Sequence, residues 1–171
     1  MTTIKTTFKL MALVLLAIPA QAGDLLSALT LQSADSDGIA TVTAVPGKQQ
    51  HVLLSVNEPP ITSPLYAMRG MIRYEGVEGD AHFYLNNDFG DYGSYFSKSL
   101  AETGPMRIIT GDSDWREFVM PFNGDDGRKS LLPERLTLSL ILPGQGTVYI
   151  RDVSLYQYAP DENPLETTGA N

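Results

Sequence analysis

The chain contains no cysteine, one tryptophan (Trp115) and two histidines (His51 and His82). Without cysteine there is no disulfide framework, no thiol chemistry, no thiolate metal site and no lipid anchor on a cysteine. Two histidines exclude a three-histidine zinc centre. Cations are scarce: 12 Lys and Arg stand against 20 Asp and Glu, a formal charge of −8. Nucleic acid and anionic membrane both need clustered Lys/Arg, so neither is an expected partner. Catalytic signatures are missing as well, with no G-x-S-x-G, P-loop, G-x-G-x-x-G or H-E-x-x-H. No internal repeat and no amphipathic helix stands out.

The longest apolar run, Leu10 to Ile18, is too short to span a bilayer. Lys5 and Lys9 precede its core, and Pro19 with Ala20-Gln21-Ala22 follows. Positive charge, apolar run and an A-x-A site in that order predict a secretory signal peptide over 1–22. The product is then exported, periplasmic or extracellular, with a formal charge of −10 once the two lysines are gone. The 149 residues left can bury a core without covalent staples.

The remaining chain alternates. Leu136, Leu138, Leu140 and Leu142 occupy every second position, with Thr137, Ser139 and Ile141 between them. That is the pattern of a strand with one face in a core. YAMRGMIRY (66–74) puts Tyr66, Met68, Gly70, Ile72 and Tyr74 on one face, and Arg69 and Arg73 on the other. AHFYLNN (81–87) puts Ala81, Phe83 and Leu85 inward, and His82 and Tyr84 outward. NEPPITSP (57–64) has three prolines and reads as an extended crossover between sheets. Val148 and Ile150 share a phase, while Val153 and Leu155 are one residue out of it. Arg151 and Asp152 must absorb the extra residue as a β-bulge. Eight or nine short strands with regular turn signals predict an all-β antiparallel sandwich, a jelly roll, over 23–158. The polar segment 159–171 has no apolar period and reads as a disordered tail.

The segments YAMRGMIRYEGVEGDAHFYL, YFSKSL, SDWREFVMPF and VYIRDVSL resemble the galactose-binding-like jelly-roll domains of bacterial carbohydrate-binding modules. The resemblance implies the same sandwich, and a carbohydrate as partner. It also implies that Asp152 helps hold a structural calcium; first and last strands commonly neighbour in such sandwiches, so Asp24, Asp35 and Asp37 could meet it there as further oxygen donors. Arg151 stands where many relatives carry a second acid. The bland alternative is that Asp152 caps the bulge.

The ligand-facing candidates are Arg69, Arg73, His82, Tyr84 and Tyr92. A hairpin through Gly76–Gly79 would bring the first four onto one outward face, able to bond hydroxyls or a carboxylate and to stack on a sugar ring. The plain alternative is the polar side of a half-exposed sheet. Tyr92 lies in the Gly-rich loop DFGDYG, which suits a binding rim. Trp115 opens a strand and reads as packing. The expected function is a non-catalytic, monomeric binding module for carbohydrate. The alternatives are an interaction domain for an envelope protein, and a polysaccharide lyase or hydrolase.

Overall fold

The computed structural model describes residues 23–166, so the signal-peptide reading of 1–22 and residues 167–171 lie outside it. In chain order the strands are β1 (Asp24–Ala28), β2 (Ala40–Thr43), β3 (Gln50–Asn57), β4 (Leu65–Asp88), β5 (Ser94–Lys98), β6 (Ile109–Asn123), β7 (Arg135–Ile141) and β8 (Thr147–Gln157). Every strand pair is antiparallel, and the whole is a β-sandwich of the jelly-roll kind. No helix of the described residues is long and apolar enough to cross a membrane.

β4 organises the molecule. Its first half pairs with β6 and β8, and β1 and β2 continue that sheet beyond β8. Its second half pairs with β5 and β7, and β3 continues beyond β7. One strand therefore belongs to both layers. It changes layer where Gly76 (φ 58°) and Gly79 (φ 79°) take left-handed conformations that other residues rarely adopt. The expected hairpin at these glycines does not form. No pairing joins the two halves of β4, because each half is already flanked on both sides.

The period-2 apolar positions face inward between the layers. Tyr66, Met68, Ile72 and Tyr74 from the first sheet meet Phe83, Leu85 and the alternate leucines of β7 in one buried cluster. Phe83 and Phe118 stack face to face at 4.1 Å, the two sheets touching through their rings. The crossover 57–64 carries the chain from β3 in the second sheet to β4 in the first. Gln157 holds it in place, its Oε1 accepting from Thr62 N and Oγ1, both at 3.1 Å.

The bulge in β8 is present. Met71 pairs with Arg151 and Arg69 with Ser154, so two residues, Asp152 and Val153, oppose Gly70 alone. Asp152 takes a left-handed φ of 53°. Opposite it Gly70 has no side chain for a physical reason: a Cβ there would lie 2.8 Å from Phe118 Cε1 and 3.0 Å from Val153 Cγ2.

Beyond β8 the described chain continues to residue 166. Glu162 N donates to Ala159 O at 3.0 Å and Glu166 N to Asn163 O at 3.1 Å, two successive turns. Pro164 is buried. Tyr158 just before them packs on Ala67 and Val119 as a small second core on the outside of the first sheet.

Candidate functional site

With the layers assigned, the proposed ligand residues fall on two opposite surfaces. Arg69 and Arg73 point out from the first sheet, and His82 and Tyr84 point out from the second. A strand that passes from one layer to the other cannot present both halves of its outer edge to one ligand.

The outside of the first sheet is closed upon itself. Arg69, 11% exposed, donates through Nη2 to Glu117 Oε1 at 2.7 Å, and its Nη1 reaches Tyr158 Oη at 3.3 Å. Burial opposes its charge, but Tyr158 and Glu117 outweigh that and raise its pKa. Arg73 lies 4.2 Å from the centre of the Tyr149 ring and pairs with Glu75 at 3.0 Å. Arg151 lies 4.3 Å from the Trp115 ring and 3.3 Å from Asp152. Each guanidinium already has an aromatic face and a carboxylate. Such contacts contribute about 0.5–1 kcal/mol each where exposed, and they leave little unmet affinity for a ligand. Trp115 is thus a surface residue of this ladder, half-buried under two arginines, rather than a core residue.

The outside of the second sheet is different. Phe96 on β5 is 57% exposed. Its ring lies beside that of Tyr84, centroids 5.2 Å apart and planes 23° from parallel, a flat apolar shelf at the sheet edge. Lys98 Nζ sits 5.3 Å from the Phe96 ring and 5.7 Å from the Tyr84 ring. Neutral polar groups continue the surface inward across the strands. Asn86 pairs with Phe96 on one side and Thr137 on the other, while Ser139, the partner of Tyr84, is buried beneath the surface. Gln50 Nε2 donates to Ser139 Oγ at 3.2 Å, and Ser55 and Thr137 hydroxyls are 3.1 Å apart. His82 closes the row, its Nδ1 3.0 Å from Asp80 O.

Tyr92 lies off the other end of this sheet from His82, beyond Asp88. It ends the short 3-10 turn Gly90–Tyr92 between β4 and β5 and is 58% exposed. Lys129 Nζ stands 3.3 Å from its ring centre, and hydrogen bonding to Lys129, then its charge, holds the phenol below its ordinary pKa. Beside it Phe89, Tyr95, Phe122 and Leu131 line a cleft of about 150 Å³ with Lys129 at its rim. The structure thus places His82 and Tyr84 on one sheet with Phe96, leaves Tyr92 in the turn beyond the far end of that sheet, and separates Arg69 and Arg73 from them. Phe96 was legible in principle: SYFSK puts Tyr95 and Phe96 on opposite faces of a five-residue strand, so one of the two rings must face solvent.

Asp152, the expected calcium ligand, lies beside a cation rather than a second acid. Asp152 has Arg151 as its charged neighbour, and Asp24 sits further along β8, opposite Gln157. Asp35 Oδ1 is spent on the backbone N–H groups of Asp37 and Ile39, both at 2.9 Å. Among the described residues no three His, Asp or Glu side chains converge as a metal site.

No protein-family model matches this chain, and no curated protein does. Solved structures do resemble it in shape, and they include carbohydrate-binding modules. One is the CBM22-1 xylan-binding domain of Xyn10C from Paenibacillus barcinonensis: 12% identity, 82% of this chain and 99% of that one covered, TM-score 0.47. A CBM4 structure covers 74% of this chain and 77% of its own at 18% identity, with a TM-score of 0.44. TmCBM61, solved with β-1,4-galactotriose, covers 73% and 86% at 14% identity, with a TM-score of 0.37.

Proposed function

We propose that the protein binds a carbohydrate chain, or a similar polyol, on the outer face of its second sheet and performs no chemistry there. The observation that carries this is the solvent-exposed Phe96 ring laid beside Tyr84, followed across the strands by neutral amides and hydroxyls. Sugar rings have apolar C–H faces and hydroxyl edges. An aromatic shelf takes the face by dispersion and exclusion of water. Asn86, Gln50 and Thr137 can exchange hydrogen bonds with the edge at little desolvation cost. Tyr92 extends the contact at the loop end.

A binding role fits the face better than hydrolysis. Glycoside hydrolysis needs two carboxylates across the scissile bond. Asp88 is the acid at the end of this face, and it is salt-bridged to Arg135. Export through the 1–22 segment would bring the protein to extracellular or periplasmic polysaccharide.

The test is a polysaccharide pull-down and glycan array with the protein. Retention on a neutral glycan, weakened about tenfold by Phe96→Ala, the equivalent of ~1.4 kcal/mol, is the expected result. No retention on any glycan would contradict the proposal and favour an envelope-protein interaction domain. Release of sugar products would favour an enzyme.

A further inference from the structure

We propose that Arg107 and Arg116, with Ser113, form a binding site for an oxyanion such as a sulfate, a phosphate or a carboxylate. The site is separate from the Phe96 shelf and does not depend on it. It lies where the turn before β6 meets β6 itself. Arg107 is held there by an isolated bridge to Ala101, and Arg116 pairs with Ile72 on the inner side of the first sheet.

Charge distribution makes this pair unusual. Four arginines of the described chain sit in salt bridges: Arg69, Arg73, Arg135 and Arg151. Arg107, Arg116 and Arg128 sit in none of them, and of these three only Arg107 and Arg116 are partly buried. They are also close to each other. Arg116 Nη2 donates to Arg107 O at 3.3 Å, and Arg107 Nη2 donates to Ser113 Oγ at 3.4 Å. The Arg107 charge opposes that of Arg116, and partial burial screens the repulsion less than water would. The Nε atoms of both are buried and have no hydrogen-bond partner. Arg73 and Arg151 also have an unpartnered buried Nε, but each has a carboxylate beside it.

The neighbouring groups carry the same imprint. Arg116 stands 5.4 Å from the Tyr74 ring centre. Burial pulls its pKa down, Tyr74 resists this, and the charge of Arg107 adds to the fall. Burial alone would raise the Tyr74 phenol, yet Arg116, Ser113 and Arg107 together hold it below its ordinary value. Asp112, Asp114 and Glu117 flank Ser113 and Arg116 in the chain, yet among the described residues no carboxylate forms a salt bridge with either guanidinium. A tetrahedral or planar oxyanion could accept N–H groups from both guanidiniums, while the Ser113 hydroxyl, which donates to Asp114 O at 2.9 Å, holds Arg107 Nη2 in place. Arginine's fixed fork suits that geometry.

Thermal melting at constant ionic strength tests this, with sodium sulfate or sodium glucuronate replacing sodium chloride. Expected is a saturable rise in Tm with at least one of them, of several degrees at a hundredfold excess over Kd, absent in Arg107→Gln. That variant removes one of two repelling charges, so its own Tm in chloride should not fall. Arg107→Lys, which keeps the charge but loses the fork, should show a weaker rise and serves if the glutamine variant is unstable. A rise with sulfate alone identifies an inorganic or sulfate-ester source, and a rise with glucuronate identifies a carboxylate. No saturable rise with either salt, or an equal rise in Arg107→Gln, would overturn the site. Retention of neutral glycan by Arg107→Gln would be unchanged, which separates this site from the shelf.

Discussion

Tyr66 Oη donates a 2.9 Å hydrogen bond to Asn87 Oδ1 in the interior between the two sheets. Both residues belong to β4, so one strand bonds to itself across the sandwich after changing layer. Asn87 Nδ2 goes on to the carbonyls of Leu85 at 3.3 Å and Tyr95 at 3.2 Å. The buried amide is satisfied at both ends, which fixes the start of β4 against its end and against β5.

Replacing Tyr66 with Phe leaves Asn87 Oδ1 buried without its donor. The expected cost is about 1–3 kcal/mol. Urea denaturation should show a lower midpoint at an unchanged slope. An unchanged midpoint would mean that this bond does not clamp the layers.

The same tyrosine makes stability fall in alkali. Burial raises its folded-state pKa well above the ordinary value, which in the unfolded chain is about 10. Its contribution is therefore complete below pH ~10 and is lost above it, as the unfolded state ionises first. Between pH 10 and 12, Tyr66→Phe should lose stability less steeply than the native protein. Tyr158, also raised by burial, keeps some slope in the variant. Equal slopes would assign the alkaline loss elsewhere.

The bulge gives a pair of opposite outcomes. Asp152 holds a left-handed φ of 53° at 70% side-chain exposure. Glycine has no penalty there, so Asp152→Gly should be neutral or stabilising by up to ~1 kcal/mol. Gly70→Ala drives a methyl into Phe118 and should cost about 1–3 kcal/mol. Chelator should leave the melting temperature unchanged. If chelator and Asp152→Gly both lower it, Asp152 is a metal ligand after all.

The single tryptophan reports on the wrong side of the molecule for the proposed ligand. Trp115 lies against Arg73 and Arg151 on the outer face of the first sheet. Saturating the protein with a retained glycan should leave its emission unchanged, and Arg73→Ala should leave retention unchanged. A spectral shift together with lost retention would move the site to that face.

Much of this architecture was legible in the residues. The alternate leucines of 136–142 are all buried, and the phase slip at Arg151 and Asp152 is a bulge. The course of β4 was not legible. Left-handed glycines serve a tight hairpin and a strand that bends between layers equally well, and only the partners on each side decide. That single ambiguity misplaced Arg69 and Arg73 relative to His82 and Tyr84. Trp115 was misread because tryptophan usually packs, although it lies out of phase with Phe118, Met120 and Phe122 and so belongs on the other side. The alternation in SYFSK puts one of its two rings toward solvent, but which partner lies beside it, here Tyr84, follows only from the strand pairing.

Amide chemical-shift mapping of the isotope-labelled protein with a retained glycan tests the central claim most directly. The account predicts perturbations centred on His82, Tyr84, Asn86, Phe96 and Lys98, fading toward Tyr92. Perturbations centred instead on Arg73, Trp115, Tyr149 and Arg151 would contradict it.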